Sequence, residues 1–394
     1  MVRSQKVEPD LFGNIPLPVA ALGAQERLAC LRLIRSENIG PATFRNLINL
    51  CGGADAALAA LPEIARRGGR RRPFRICPIA KAEAELAAAD AIGSHPLFTI
   101  EPGYPKVLAA IDHPPPLIYA KGEVATLNQL AIAIVGSRNC SGAGAAFARQ
   151  LASEIGSSGF VITSGLARGI DGAAHRSAIQ TGTVAVLAGG LDINYPPEHA
   201  DLQLQIAETG CLVTECPPGF KPRGKDFPRR NRIISGMSRG VVVIEAAKRS
   251  GSLTTARFAA EQGRDVFAVP GHPLDPRAAG TNALLKTGAI LATSSEDIIA
   301  ELAPQLRRDD RANLTPKEEL NEQCAPHYTD IDVGIQEREL ITSLLTKTPI
   351  SLDEIFRLSG LHPKQIQAIV LELTLAGRLE HHGQNMISLG QFSN

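Results

Sequence analysis

The chain has 394 residues, of which 44% are hydrophobic, and it carries a formal net charge of only +1. This length exceeds that of one ordinary domain, so two or three domains are expected. The hydrophobic share and the 36 glycines suit an α/β protein with a well-buried core. No apolar run is long enough to cross a membrane, and residues 1–10 lack the apolar core of a signal peptide. A membrane protein and a globally basic nucleic-acid binder are therefore not indicated.

The seven cysteines are odd in number and form no C-x-x-C pair. They lie at positions 30, 51, 77, 140, 211, 216 and 324. This spacing disfavours a disulfide framework, a metal site and a thiol nucleophile. We interpret the cysteines as small core residues of a protein that works in the reducing cytoplasm.

The N-terminal part of the chain is predicted to be helical. Apolar residues recur at helical spacing on both sides of a short turn at 38–42, which reads NIGPA. The pattern resembles a helix-hairpin-helix, whose turn amides can hold a DNA phosphate, and the alternative is a plain helical connector. A basic run, RRGGRRRPFR at 66–75, follows, and an alanine-rich helix is predicted over 81–92.

From residue 130 to about 291 the pattern changes, and short apolar runs alternate with helical segments. The runs are rich in Val, Ile and Ala without polar alternation, which is typical of strands buried on both faces. The repeated strand–helix order predicts an α/β fold, an extended Rossmann-like doubly wound parallel sheet. The six predicted strands are 131–135, 160–163, 184–187, 212–214, 241–244 and 266–269.

The end of the chain is predicted to be a winged helix. Ser351 and Glu354 form a capping box that opens one of three helices, and residues 378–389 suit a small β wing. The third helix offers Lys364 but also Glu372, which is poor chemistry for binding phosphates. We therefore expect this domain to make a protein or regulatory contact rather than to read DNA.

These patterns divide the chain into five segments. They are an N-terminal extension at 1–24, a helical SAM-like or helix-hairpin-helix domain at 25–95, an extended Rossmann-like domain at 96–305, a linker at 306–334 and a winged-helix domain at 335–390.

Glycines, bases and hydroxyl groups follow nearly every predicted strand, where ligands bind in a doubly wound sheet. The most informative loop is SGLARGIDGAAH at 164–175, a strand, a glycine turn and a helix start. Backbone amides at such a junction form an anion site that the helix dipole strengthens. Asp171 is expected to hold this loop in shape. Because similar loops follow the other strands, a long polyanion fits the row better than a single nucleotide does.

Nucleotide cofactors and catalysis are disfavoured. The first loop is not G-x-G-x-x-G, which argues against NAD, and no G-x-x-x-x-G-K-[ST] is present for ATP. His175 and His272 have no carboxylate or nucleophile at motif spacing. We therefore predict no cofactor, no catalytic residue and no metal.

Six motifs in order over residues 131–291 resemble the central domain of the DprA/Smf family, the bacterial DNA-processing proteins of natural transformation. They are GSR at 136–138, SGLARGIDGAAH at 164–175, YPPEHADL at 195–202, FPRRNRIISG at 227–236, SGSLTTA at 250–256 and GRDVFAVPG at 263–271. The resemblance implies a cytoplasmic homodimer that binds single-stranded DNA and is not an enzyme. It also implies that the protein loads the RecA recombinase onto incoming single strands and offsets inhibition by single-strand-binding protein.

The resemblance further implies which residues contact DNA. Carried over motif by motif, they are Ser137, Arg138, Asn139, Gly165, Arg168, Gly169, Arg230, Asn231, Lys248 and Ser250. The chain departs from the family near Cys140 and at Cys216, where aromatic residues are common. We therefore expect backbone and phosphate contacts to dominate over base stacking.

Two alternatives remain open. The first is an enzyme of the nucleotide phosphoribohydrolase type, although its signature P-G-G-x-G-T-x-x-E is missing from this chain. The second is an inert nucleotide sensor.

Overall fold

The computed structural model describes residues 22–314, 333–382 and 385–390. The chain forms two compact units, one made of residues 1–84 and 318–394 and the other of residues 85–317. The smaller unit thus combines the N-terminal helices with the C-terminal domain. The predicted N-terminal extension at 1–24 lies almost wholly outside the described residues.

Three helices form the N-terminal part of the smaller unit: α1 (Ala24–Ile34), α2 (Pro41–Cys51) and α3 (Ala54–Arg67). The predicted hairpin is confirmed, since α1 and α2 flank the turn at 38–42 and α2 begins at a proline, which is favoured at the first helical position. The alanine-rich helix is confirmed as α4 (Ile79–Ala91).

The larger unit is built on a nine-stranded sheet. Its strands are β1 (His95–Phe98), β2 (Leu117–Gly122), β3 (Ala131–Gly136), β4 (Val161–Ser164), β5 (Thr183–Val186), β6 (Cys211–Thr214), β7 (Gly240–Ile244), β8 (Asp265–Ala268) and β9 (Ile290–Leu291). The order is β1-β2-β6-β5-β4-β3-β7-β8-β9. Strand β2 is antiparallel to both neighbours, and all other pairs are parallel.

This order confirms the predicted doubly wound sheet. The chain runs outward from β3 to β6 on one side and then returns to β7 on the other side of β3. Each of the six predicted strands lies within one residue of its observed bounds. The last residue of β3 is a glycine because a Cβ atom on Gly136 would lie 1.9 Å from the carbonyl oxygen of Ile244 on β7.

Helices cover both faces of this sheet. They are α5 (Lys106–Ala109), α6 (Gly142–Ser157), α7 (Ile170–Ala178), α8 (Ala200–Thr209), α9 (Asp226–Gly236), α10 (Gly251–Glu261), α11 (Ala279–Lys286) and α12 (Ser295–Leu314). Residues of β3 alternate between two buried cores, as a strand covered on both faces requires. Ala131, Ala133 and Val135 pack with α5, α9 and α10, whereas Ile132 and Ile134 pack with α6, α7 and α12.

The C-terminal part of the smaller unit is a winged helix, as predicted. Its elements are α13 (Ile335–Leu344), β10 (Ile350–Ser351), α14 (Leu352–Ser359), α15 (Pro363–Leu375), β11 (Leu379–His382) and β12 (Met386–Leu389). The strands form a sheet in the order β10-β12-β11. Ser351 caps α14 by accepting from the Glu354 amide at 3.2 Å. Of the segment predicted as a linker, residues 306–314 belong to α12, and 315–332 lie outside the described residues.

Within the described ranges, no single helix is long and apolar enough to cross a membrane. Helices α2 and α3 reach the length and apolar composition of a membrane span only when they are counted together, and a bend of 104° separates them.

Candidate nucleic-acid interface

The carboxyl ends of β3, β4 and β5 open onto one pocket. Its walls come from the loops that follow these strands, from the segment around Tyr195 and from the first turn of α9. Four of the predicted site residues line it: Arg138, Gly165, Arg168 and Arg230. Because β3 is the strand at which the winding direction reverses, the pocket lies beside the position where doubly wound sheets bind ligands.

The loops after β3 and β4 are packed against each other through Gly169. This residue has φ +78°, and a Cβ atom on it would lie 2.2 Å from the carbonyl oxygen of Ser137. The neighbouring amide of Ile170 donates to that same oxygen at 3.3 Å. Only glycine satisfies both the positive φ and the close approach, so Gly169 allows the loop that carries Arg168 to pack against the loop that carries Arg138.

Two buried side chains, Asp171 and Arg230, hold the loop after β4 in shape through separate hydrogen bonds to its backbone. The Asp171 carboxylate accepts from the amides of Gly165 at 3.2 Å and Ala167 at 3.3 Å. The Arg230 guanidinium donates to the Gly165 carbonyl at 2.7 Å and also to the carbonyl of Val186. The expected structural role of Asp171 is thereby confirmed. The amides of Gly165 and Ala167 are occupied by this carboxylate, and contact of Gly165 and Gly169 with DNA stays a prediction.

Burial raises the pKa of Asp171, while the charge of Arg230 and the two amides favour its ionised form. Burial also lowers the pKa of Arg230, to about 10, with a smaller contribution from the charge of Arg138. At neutral pH the arginine is still protonated. Because Arg230 is only 6% exposed, its side chain forms the floor of the pocket, and its contact with DNA stays a prediction.

Two predicted arginines are free to meet a ligand at the mouth of the pocket. Arg138 is exposed, and its guanidinium lies 5.1 Å from the centre of the Phe227 ring. The Arg168 side chain is 57% exposed and 3.9 Å from the equally exposed Glu198. Such a surface ion pair contributes little, so a phosphate can replace the carboxylate at small cost.

An aromatic pair beside these arginines was missed by sequence reasoning. The rings of Tyr195 and Phe227 lie 5.2 Å apart at an angle of 48°, and Tyr195 is 45% exposed. Each ring stands inside a motif, YPPEHADL or FPRRNRIISG, and that position was the available signal. The pair supplies an aromatic surface next to the arginines, whereas backbone and phosphate contacts were expected to dominate over base stacking.

Exposed cations extend the rim beyond the pocket. Lys221, Arg223 and Lys225 are exposed on the loop that leads into α9. They belong to the predicted basic run but were not among the predicted site residues. In the sequence they stand around Pro222, which lines the pocket.

The remaining predicted site residues lie on the same rim, around the loops after β3 and β7. The Ser137 hydroxyl accepts from the Asn139 amide at 3.2 Å, Lys248 is exposed, and Ser250 caps α10. Asn231 is 8% exposed and donates to the Gly251 carbonyl at 3.1 Å, so it braces that loop. Contact of these residues with DNA stays a prediction.

The loops after β3 and β7 are joined through Glu245. This residue adopts φ +51°, and its carboxylate accepts from the Ser141 amide at 2.8 Å and from the Ser141 hydroxyl. The rim is therefore a connected set of loops rather than a row of independent turns.

His175 is fully buried in α7, and its Nδ1 lies 2.7 Å from the Thr183 hydroxyl. Burial lowers the pKa of this imidazole from 6.5 to about 3. In the unfolded chain it takes up a proton below pH 6.5, whereas in the folded chain it stays neutral until about pH 3. Protons in this window therefore favour the unfolded state, and the free energy of unfolding falls by up to about 1.4 kcal/mol per pH unit.

Urea unfolding of the wild type and of His175→Gln from neutral to acidic pH measures how much His175 contributes to the pH dependence of the free energy of unfolding. The difference in the free energy of unfolding between the two proteins should shrink as the pH falls. A difference that stays constant with pH would contradict this role of His175.

The fold and rim define a class: an extended Rossmann-type binding protein with an arginine-rich rim, accompanied by helix-hairpin-helix and winged-helix domains. A family model described as DNA recombination-mediator protein A matches residues 95–303. Models described as the DprA-like N-terminal HHH domain and the DprA winged helix domain match residues 24–88 and 332–385. The chain belongs to the DprA/Smf family of DNA recombination mediators.

Individual relatives agree with this assignment. Protein Smf of Escherichia coli is 41% identical over 277 residues, which cover 69% of this chain and 71% of that protein. The DNA processing protein DprA of Bacillus subtilis is 46% identical over 202 residues, 50% of this chain and 68% of that protein.

Two solved structures are similar as well. DprA of Streptococcus pneumoniae superposes with a TM-score of 0.61 at 34% identity, covering 71% of this chain and 99% of that one. DprA of Helicobacter pylori, described for its single-stranded DNA binding mode, has a TM-score of 0.50 at 28% identity and covers 54% of this chain and 96% of that one.

Proposed function

We propose that the central domain binds single-stranded DNA along the rim formed by the loops after β3, β4, β5 and β7. The observation that carries this proposal is the placement of Arg138 and Arg168 beside the Tyr195–Phe227 pair at one pocket. Guanidinium groups bind phosphate oxygens, and aromatic rings stack on bases. Both kinds of group stand within one pocket, as a nucleotide with its phosphate requires.

Geometry favours a single strand over a duplex. A ring can stack on a base only when the face of that base is uncovered, and in a duplex both faces are covered by neighbouring pairs. A flexible strand also follows connected loops more readily than a stiff duplex, whose bending costs energy.

The finer role follows from the family. We propose that the protein acts in the cytoplasm as a homodimer during natural transformation, protects incoming single strands and loads RecA onto them. In doing so it would counter inhibition by single-strand-binding protein. It would act by binding rather than by catalysis. In support, the buried side chains of Asp171, His175 and His199 near the rim are engaged in contacts that hold the fold.

A titration with labelled oligonucleotides tests the DNA-binding proposal. We expect tighter binding to a single strand than to the matching duplex. We also expect the logarithm of the affinity for the single strand to fall linearly with the logarithm of the salt concentration, by about 0.7 for each phosphate bound. Fluorescence anisotropy at several salt concentrations measures both. Equal affinity for the two forms would refute the proposal, and the same titration with Arg176→Ala, an exposed arginine of α7, serves as control.

A further inference from the structure

We infer that the N-terminal domain carries a second nucleic-acid-binding surface, the arginine loop, formed by residues 66–75, which contacts the sugar–phosphate backbone. This surface is built from other residues than the rim of the central domain, and it extends the proposed function. Four observations on the smaller unit lead to this inference. They are the charge of the N-terminal domain, the exposure of its arginines, the fixed shape of the arginine loop and the burial of helix α15.

Positive charge is concentrated in the N-terminal domain. Residues 24–78 contain ten arginines and no lysine against four acidic side chains, a formal charge of +6 in a chain whose total is +1. The winged helix at 333–390 contains six acidic and five basic side chains, which is close to neutral. The arginine loop alone holds six of the ten arginines.

Nearby carboxylates neutralise only part of this charge. Glu63 pairs with Arg66 and Arg67, and Glu37 pairs with Arg70 and Arg75. Six arginines against two carboxylates leave a formal +4 on the loop.

The charge that remains is accessible. The side chains of Arg66 and Arg75 are 72% and 84% exposed. Arg71 and Arg72 are exposed, and among the described residues no carboxylate forms an ion pair with either. These four guanidinium groups can therefore reach a ligand from solvent.

The loop has a fixed shape, which distinguishes it from a solvated charge run. Arg70 is only 14% exposed: its guanidinium pairs with Glu37 at 2.8 Å, lies 5.2 Å from the centre of the Phe74 ring and donates to the Arg72 carbonyl at 3.1 Å. Gly68 packs so closely on α15 that a Cβ atom there would lie 2.0 Å from the Glu372 carbonyl oxygen. Groups held in place before binding lose less conformational entropy when they bind.

Helix α15, which corresponds to the recognition helix of a winged helix, is buried along two faces. Ile366, Ile369, Val370 and Leu373 face the core of the winged helix. Ala368, Leu371, Glu372 and Leu375 are also buried but do not belong to that core. Both sets follow the i, i+3, i+4, i+7 spacing of a single helix face.

The second face is covered by the N-terminal helices. Helix α15 contacts α3 and α2, the Asn38 amide donates to the Leu375 carbonyl at 3.3 Å, and Arg378 donates to the Gly68 carbonyl at 3.3 Å. A helix covered in this way cannot enter a major groove as recognition helices do. Among the described residues of the smaller unit, exposed basic side chains are most concentrated in the arginine loop.

Phosphate is the ligand that these groups fit best. The planar guanidinium fork binds phosphate with two parallel hydrogen bonds, and all six basic side chains of the loop are arginine. Acidic protein segments offer carboxylates of similar geometry, but membership of a DNA-processing family favours nucleic acid. A single strand and a duplex present the same backbone chemistry, so both are tested.

The test uses the full-length Arg71→Ala/Arg72→Ala variant with a single strand and a duplex of about 40 nucleotides, each titrated over a range of salt. Loss of two phosphate contacts should lower the slope of log affinity against log salt by about 1.4 for the single strand or about 1.8 for the duplex. For the single strand, the affinity ratio between about 50 and 200 mM salt then becomes about sevenfold smaller. The nucleic acid that shows the change is the one this surface binds.

Two further variants sharpen the result. Lys347→Ala/Arg357→Ala removes the same charge from exposed positions of the winged helix and should keep the wild-type slope. Arg71→Lys/Arg72→Lys keeps the charge and should restore the slope. An unchanged slope in Arg71→Ala/Arg72→Ala for both nucleic acids would overturn the inference, as would the same loss in Lys347→Ala/Arg357→Ala. The inference would also be overturned if Arg71→Ala/Arg72→Ala kept wild-type DNA binding but lost binding to polyglutamate. That result would favour an acidic protein as the partner of the arginine loop. Failure of the central-site proposal is a different result, since it appears as unchanged binding in Arg138→Ala.

Discussion

Replacing Asp171 with alanine should lower the free energy of unfolding by about 2–4 kcal/mol, because the buried guanidinium of Arg230 loses the nearby negative charge that favours its ionised form. The side chains of Asp171 and Arg230 are each 6% exposed. The substitution also removes the acceptor of the Gly165 and Ala167 amides, and an unsatisfied buried amide carries its own cost. Urea unfolding followed by circular dichroism measures the loss.

The chain offers a matched control for this prediction. Asp201 occupies the second position of α8, as Asp171 does in α7, but it is exposed. Asp201→Ala removes the same interaction with the helix dipole, which contributes about 0.3–1 kcal/mol. If the two variants lose similar stability, Asp171 does not hold the loop as described.

Replacing Phe227 with alanine should weaken binding of single-stranded DNA by about 5- to 150-fold, which corresponds to about 1–3 kcal/mol for one stacked base. The Phe227 ring supports Tyr195 on one side and lies beneath the Arg138 guanidinium on another. Its loss therefore removes a stacking surface and the support of a phosphate-binding arginine together. Anisotropy titration at one fixed salt concentration measures the change.

Phe258 provides the comparison for Phe227. It lies on α10 with Arg257 5.2 Å from its ring centre, a similar arginine–aromatic contact away from the pocket. Phe258→Ala should keep wild-type affinity, and Phe227→Tyr, which keeps the ring, should lose little. A double-mutant cycle of Arg138→Ala and Phe227→Ala should show coupling between the two residues. Additive losses would mean that the ring does not position the arginine.

Much of the fold follows from local patterns. Strands β3 to β8 are predicted within one residue because each is a short Val-, Ile- or Ala-rich run buried on both faces. Strands β1, β2 and β9 were not predicted. Strands β1 and β9 are the edges of the sheet and have only four and two residues, so their patterns are weak. Strand β2 is a buried six-residue run, but it pairs antiparallel with both neighbours and precedes the strand–helix alternation on which the prediction rests.

The site is harder to derive, because sequence spacing does not reveal burial. Arg229 and Arg230 are neighbours in one basic run, yet the side chain of Arg229 is 65% exposed and pairs with Glu215, whereas Arg230 lies under the pocket. Tyr195 and Phe227 are 32 positions apart and meet only because α9 returns to the rim.

By itself, the sequence determined the doubly wound sheet, the helical hairpin, the winged helix and the family, because periodicity and motifs are local properties that no distant contact changes. The tertiary structure decided which charged groups are free. Burial turns Arg230 and Asp171 into supports of the loop after β4, and the packing of α15 on the N-terminal helices covers that helix while the arginine loop stays exposed. Desolvation and competition for hydrogen bonds depend on residues far apart in the chain, and they are fixed only when the fold brings those residues together.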